Sequence, residues 1–300
     1  MDITIIIPVL NRKEYLPRTL DSITSHLPWP ARIIIVDNGS TDGTKEWAQQ
    51  FIHANPQLDI RLIQEQEPGA AAARNRGLEA TETEWVYFFD SDDIFDGLPK
   101  EWNANNDMVA FPTRMNVNGK VTVRAYKPTA EPWIHIMNSM LNTIGMIFRT
   151  EWLRSIGGWS EYCKVWDDWE LGIRALLAGP RLQWITDTPY HTAEIHSDSI
   201  TGESFSDNFM LQLRTVNHIL QELPDATSKT GKKCRKALMF RTYILSGMLR
   251  AEGNRKAAER VHAYALANFS DCSGNVIARR LERYASHGWR GAWRIGQFFT

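Results

Sequence analysis

Four apolar runs of strand length, each followed by a turn or a helical pattern, dominate the first 90 residues and constrain the fold more than any other feature. They are Ile3-Thr-Ile-Ile-Ile-Pro-Val9, Arg32-Ile-Ile-Ile-Val-Asp37, Ile60-Arg-Leu-Ile63 and Trp85-Val-Tyr-Phe-Phe89. Continuous apolar runs of this kind suit strands buried on both faces. After the first, Tyr15, Leu16, Leu20, Ile23 and Leu27 recur at helical spacing. After the second, Asn38-Gly-Ser-Thr-Asp-Gly43 supplies turn and cap residues before a helix carrying Trp47 and Phe51. After the third, Pro68-Gly69 opens an Ala-rich helix over 70–80. Strands alternating with helices predict an α/β fold with a doubly wound, mainly parallel sheet and right-handed crossovers.

The fourth run delivers Asp90, Asp92 and Asp93 at its carboxyl end, where open α/β sheets hold their ligands. Carboxylates this close repel one another, and their hard oxygens suit Mg or Mn. An isolated Asp-x-Asp is more often an acidic surface turn, so the rest of the chain decides its meaning.

Regularity breaks after Asp93. A strand is expected at 108–111, a hairpin over 115–123 around Asn118-Gly119, a short helix over 133–141 and a strand at 143–148. Residues 151–156 read as a helix stopped by Gly157-Gly158. Residues 166–178 read as a helix whose first turn holds Asp167 and Asp168, a placement the helix dipole favours without any catalysis. A last strand at 181–185 leads into a loop over 190–200. Beyond it only helical patterns remain, at 205–220, 234–249, 255–269 and 276–284, with 224–231 as a polar linker. The expected division is therefore 1–202 for the α/β domain and 203–300 for an all-helical extension.

The net charge of −1 conceals an asymmetry. From Lys229 to Thr300 there are fifteen Lys/Arg against four Asp/Glu, a balance of +11 that leaves −12 for residues 1–228. A basic segment points to an anionic partner such as membrane headgroups, a phosphorylated acceptor or nucleic acid; solvated helical faces are an equal alternative. Nucleic acid is disfavoured because no recognition motif accompanies the charge. Cys163, Cys234 and Cys272 form neither a disulfide framework nor a CxxC site, and are expected as reduced, partly buried thiols. The opening apolar run is too short for a signal peptide or a span, so a cytoplasmic protein is expected, peripheral on the inner membrane face if the basic helices bind lipid.

Several motifs then combine. Ile5-Ile-Ile-Pro-Val-Leu-Asn11 with Tyr15-Leu16 is followed by Ile34-Ile-Val-Asp-Asn-Gly-Ser-Thr-Asp-Gly43, then by Gly69 to Gly77 with Arg74-Asn75, and by Tyr87-Phe-Phe-Asp-Ser-Asp-Asp93. Farther on come Phe148-Arg-Thr-Glu, Gly157-Gly-Trp-Ser-Glu161 and Asp167-Asp-Trp-Glu-Leu171. Over roughly residues 1–200 this series resembles the family 2 glycosyltransferases, inverting nucleotide-sugar enzymes of GT-A fold.

The resemblance implies a role for each matched residue. Pro8 and Glu14 would lie by the nucleotide, Asp37 would bind the base, and Arg74 would sit near the base or phosphate. Gly69 and Ser91 belong to the nucleotide-contacting motifs. Asp90 would contact ribose or bound water, and Asp92 would ligate the divalent metal, Mn or Mg. Asp168 matches the catalytic base; its partner, usually Glu, is Asp167 here, which shortens one supporting side chain. His196 resembles a His that completes the metal shell in some members, with His191 as the competing choice. The activity implied is transfer of a hexose from a nucleotide-diphosphate donor, with a UDP-sugar expected, onto a hydroxyl of a glycan or lipid-linked acceptor.

A glycoside hydrolase would not require the Asp37 and Arg74 loops. A nicotinamide enzyme is disfavoured because the first strand runs into Val9-Leu-Asn-Arg12, not a G-x-G-x-x-G turn. The alternative from another class is a catalytically idle nucleotide-sugar-binding or scaffold protein of the same fold. For the helical extension, a homodimer contact is the alternative to membrane binding.

Overall fold

A computed structural model describes residues 2–27, 31–124, 127–186, 188–195, 204–289 and 291–300. The chain divides into two compact units. The first comprises residues 1–128, 141–161 and 178–196; the second comprises 129–140, 162–177 and 197–300. The division is thus not a single cut near residue 202. Two segments expected in the α/β domain, 129–140 and 162–177, belong with the helices, because their apolar side chains Ile136, Met137, Trp169 and Ile173 complete the helical core.

The first unit holds a seven-stranded mixed sheet and a four-stranded sheet. β1 (Ile3–Val9), β2 (Arg32–Asp37), β3 (Ile60–Gln64) and β4 (Trp85–Phe88) are the four expected strands, with α1 (Leu16–His26), α2 (Thr44–Ala54) and α3 (Ala70–Glu79) as their crossovers. β1 lies between β2 and β4, parallel to both, and β3 extends the row beyond β2. As an interior strand, β1 buries Ile5, Ile6 and Ile7 completely, each contributing roughly 1.5–3 kcal/mol. Gly77 lets α3 approach it closely, since a Cβ there would come within 2.5 Å of Ile6 Cγ2.

The chain continues through β5 (Ile94–Phe95), β6 (Met108–Ala110), β7 (Thr113–Val117) and β8 (Lys120–Arg124), then α4 (Pro132–Asn138), β9 (Met146–Arg149) and α5 (Thr150–Ser155). α6 (Asp167–Leu177), β10 (Leu182–Trp184) and β11 (His191–Ile195) follow. β9 runs antiparallel between β4 and β6, and β10 joins β6 in parallel, giving the mixed far half of the large sheet. In the small sheet, β7 and β8 form the expected hairpin, its turn residues Asn118 and Gly119 both at positive φ. β11 replaces part of the expected loop: it pairs antiparallel with β5 and parallel with β7.

The second unit holds α4, α6, α7 (Phe205–Glu222), α8 (Lys229–Ala251), α9 (Arg255–Phe269), α10 (Asn275–Ser286) and α11 (Ala292–Gln297). The expected linker over 224–231 is shortened because α8 begins at Lys229, capped by Ser228 Oγ accepting the Gly231 N–H at 2.9 Å. Gly231 serves packing, since a side chain there would strike the Asp225 carbonyl. The three cysteines are free, and burial pushes the Cys234 thiol up to about 12. Among the described residues, no helix is long and apolar enough to cross a membrane.

Candidate active site

The register of β1 against β2 sets Val9 beside Asp37, so the two loops leave the same edge of the sheet. They are stitched together. Asn11, at φ +54°, accepts the Thr41 N–H on its Oδ1 at 2.8 Å, while its own N–H donates to Ser40 Oγ at 3.0 Å. Asn38 goes further: its amide donates to the carbonyls of Glu65 and Glu67, and its Oδ1 accepts the Gly69 N–H at 2.7 Å. One side chain therefore fixes the loops after β2 and β3 and the start of α3. Asp37 is 1% exposed and accepts the Ser40 N–H at 3.3 Å. Gly69 has φ +132°, in the region that favours glycine. Pro8 is half-buried in β1, and Glu14 is exposed in the turn before α1.

The acidic turn after β4 sorts its three carboxylates by environment. Asp90 Oδ1 accepts from Arg74 Nη2 at 2.8 Å, with the arginine side chain 7% exposed and the aspartate 32%. Arg74 also lies 4.3 Å above the Trp159 ring. That indole is placed by the residue after the arginine: Asn75 Oδ1 accepts the Trp159 N–H at 2.8 Å, and its amide donates to the Trp159 carbonyl at 2.9 Å. Gly158, at φ +62°, brings the backbone this close, for a Cβ there would meet Asn75 Oδ1 at 2.7 Å. The Arg74-Asn75 and Gly157-Gly158-Trp159 motifs are thus two halves of one clamp on Asp90.

Asp92 faces Arg12 at 3.6 Å, and its carbonyl accepts from Arg18 Nη2 at 2.9 Å. Asp93 turns inward, 5% exposed, where it accepts the Glu194 N–H of β11 at 2.9 Å. Burial, then the charges of Asp90 and Asp92, push its carboxyl well above the usual carboxylate range. Thr19 Oγ1 on α1 donates to the carbonyls of Ser91 and Asp93, pinning the turn. Ser91 itself is buried. Asn38 reads in the sequence only as a turn residue within its motif, and Thr19, Arg12 and Arg18 carry no role there.

Among the described residues, no three His, Cys, Asp or Glu side chains converge as a ready-made metal cage. Mg or Mn serving a diphosphate typically uses one or two carboxylates, with phosphate oxygens and waters completing the shell. Asp90 and Asp92 fit that requirement: they are the turn's accessible hard oxygens, each drawing a guanidinium cation. Asp93 does not fit, being committed to the Glu194 amide. His191 does not fit either. Its ring is fully buried among Tyr87, Phe89, Phe95 and Phe111, at centroid distances of 4.8–5.5 Å. His196 lies outside the described residues.

Asp168 belongs to the second unit. It sits in the first turn of α6, where its Oδ1 accepts the Trp169 N–H at 2.7 Å and its N–H donates to Asp167 Oδ1 at 3.1 Å. Trp166, immediately before the helix, has φ +59°.

Two solved structures share the fold over nearly all of this chain. One is S. aureus TarS 1–349 in complex with UDP-GlcNAc, with a TM-score of 0.61 and 19% identity, covering 99% of this chain and 91% of that one. The other is the mannosyltransferase PcManGT from Pyrobaculum calidifontis in complex with GDP-Man and Mn2+, with a TM-score of 0.56 and 18% identity, covering 98% and 82%. The shared architecture is the GT-A fold. Curated relatives match over shorter stretches. Glycosyltransferase AglE of Haloferax volcanii is 40% identical over 92 residues, 30% of each chain. Uncharacterized glycosyltransferase YibD of Escherichia coli is 28% identical over 152 residues, 51% of this chain and 43% of its own. The chain thus spans less than half the length of these relatives. The sequence profile of glycosyl transferase family 2 matches residues 4–156, just over half the chain, and runs through every loop of the Asp37–Arg74–Asp90 edge. On that match, this chain belongs to glycosyl transferase family 2.

Proposed function

We propose that this chain is an inverting, metal-assisted glycosyltransferase of the hexosyltransferase class, taking its sugar from a nucleoside diphosphate donor, with uridine as the favoured base. The observation that carries the reading is the Arg74 clamp on Asp90, set at the same sheet edge as Asp37. Asp37 accepts from the base, and Pro8, Glu14, Gly69 and Ser91 line the nucleotide. Arg74 offers a planar cation to the diphosphate while restraining Asp90 near the ribose. A divalent ion would be held by Asp92, with Asp90 and His196 in support, and would supply stabilisation for charge developing on the departing phosphate.

Asp168 acts as general base. It takes the proton of an acceptor hydroxyl as that oxygen forms its bond to the anomeric carbon. The bond from that carbon to phosphate oxygen breaks, and the nucleoside diphosphate leaves with the electron pair. One displacement of this kind inverts the anomeric centre. The acceptor is a hydroxyl of a glycan or a lipid-linked sugar. An idle nucleotide-sugar-binding protein is the other reading; the presence of both Asp92 and Asp168 favours turnover.

The charge of the C-terminal helices supports a membrane surface as the place of such an acceptor. Arg279, Arg280 and Arg283 on α10 are exposed, as are Trp289 and Phe299, and residues of this type suit an anionic membrane surface. Flotation with anionic vesicles at low salt tests this part, and self-association in solution would instead favour the homodimer. The central test is a donor screen by nucleoside diphosphate release with Mn or Mg. Release from no nucleotide sugar, together with calorimetric binding of uridine diphosphate, would favour the idle reading.

A further inference from the structure

Arg241, in the middle of α8, ends in a cage of three indoles. Its guanidinium carbon lies 5.6 Å from the Trp166 ring centroid, 5.0 Å from Trp169 and 4.9 Å from Trp293 of α11. Its nitrogens also reach the Met137 carbonyl and Ser139 Oγ, both at 3.4 Å. Two of those indoles flank the acidic pair Asp167-Asp168.

The flanked turn needs support. Trp166 has φ +59°, a conformation disfavoured for a bulky residue, so its surroundings must hold it there. Trp166 and Trp169 pack edge to face at 5.3 Å, and the Trp166 carbonyl accepts the Glu170 N–H at 3.0 Å to start the helix. From the other side, Trp169 Nε1 donates to the carbonyls of His135 and Ile136 at 3.3 and 3.2 Å. The His135 ring closes that corner: Nδ1 accepts the Met140 N–H at 2.9 Å, and Nε2 lies 3.1 Å from the Trp169 carbonyl. Gly172 makes room for it, since a side chain there would strike the imidazole. A planar, delocalised cation stacks on several aromatic faces at once, which an ammonium does poorly.

We propose that Arg241 is a positioning residue for glycosyl transfer: by gripping Trp166 and Trp169 it fixes the strained start of α6 and so aims the Asp168 carboxylate. This rests on Asp168 being the base.

The test is a double-mutant cycle on the full chain. Arg241→Met and Arg241→Lys are made in the parent and in Asp168→Asn, with kcat at saturating donor and acceptor, donor KM and melting temperature as readouts. Misaiming a catalytic group by about 1 Å costs on the order of a hundredfold, so Arg241→Met should lower kcat by about tenfold to a hundredfold with donor KM within about twofold. Arg241→Lys should recover part of the loss. In the Asp168→Asn background, Arg241→Met should cost nothing further, because a positioning effect vanishes once the group it aims is gone. Parental kcat in Arg241→Met, or the same fold-loss in both backgrounds, overturns the proposal. If Arg241→Met does not fold, Trp293→Phe is measured with the same readouts and expectations. An Asp168→Asn protein with parental turnover would instead remove the base assignment, a failure separate from that of Arg241.

Discussion

Replacing His191 with phenylalanine should stabilise this protein, and more so in mild acid. The imidazole is fully buried at the start of β11, ringed by Tyr87, Phe89, Phe95 and Phe111, and neither ring nitrogen has a hydrogen-bond partner among the described residues. A buried polar group left unsatisfied costs about 1–3 kcal/mol, so two such nitrogens cost roughly 2 kcal/mol at the low end of that range. Fitting the somewhat larger phenyl ring returns about 1 kcal/mol of strain. The net gain at pH 7.5 is therefore about 1 kcal/mol, or a rise of roughly 2–4 °C in melting temperature. The pH term adds to it. Burial, with repulsion from Arg114, holds the His191 pKa well below its ordinary value. A group with a depressed folded pKa contributes stability above its unfolded pKa, about 6.5 for histidine, and that stability is lost as pH falls toward the folded value. Between pH 7.5 and 5.5 the parent should lose stability relative to His191→Phe, on the order of 1 kcal/mol, since the unfolded chain takes up a proton that the folded chain refuses. Denaturant titrations of both proteins at the two pH values measure this difference directly, because the remaining histidines are common to both. Parallel pH profiles, or a variant less stable than the parent at pH 7.5, would refute the reasoning.

Four further substitutions test the site and the packing of the helices. Asp168→Asn should keep metal-dependent nucleotide binding and lose about 10²–10⁴-fold in transfer, whereas Asp92→Ala should weaken nucleotide binding as well; calorimetry and turnover on both proteins check the contrast. Arg74→Lys should raise the donor dissociation constant by about tenfold, because an ammonium gives up both the planar face over Trp159 and the guanidinium fork; unchanged donor binding would remove Arg74 from the site. Gly247→Val should destabilise the helical unit by more than about 3 kcal/mol, seen by circular dichroism, because a side chain there strikes the Glu282 carbonyl where α8 crosses α10.

The residues that were legible in the sequence are those whose meaning is local. Strand-length apolar runs gave β1 to β4, Asn118-Gly119 gave the hairpin, and the acidic pair ahead of Leu171 and Ile173 gave α6. What stayed hidden depends on distant partners. β11 has a short, unremarkable sequence and becomes a strand only because β5 and β7, about 100 and 80 residues earlier, lie on either side of it. The acidic turn shows the same limit within four residues. Asp90, Asp92 and Asp93 are chemically alike on paper, and only the family resemblance, not their own chemistry, assigns Asp92 to a metal and Asp90 to ribose or water. In the fold, Arg74, Arg12 and the Glu194 amide each claim one of them, so two carboxylates stay at the accessible edge while the third becomes an internal strut between β4 and β11. Segments 129–140 and 162–177 extend the point to the whole chain: Trp169 reads as part of a helix on the α/β domain until Arg241, 72 residues later, is seen against its ring. The aspartate expected to serve as base is therefore carried in the first turn of a helix flanked by Trp166 and Trp169, whose rings both face a cation that sequence spacing gives no reason to place there.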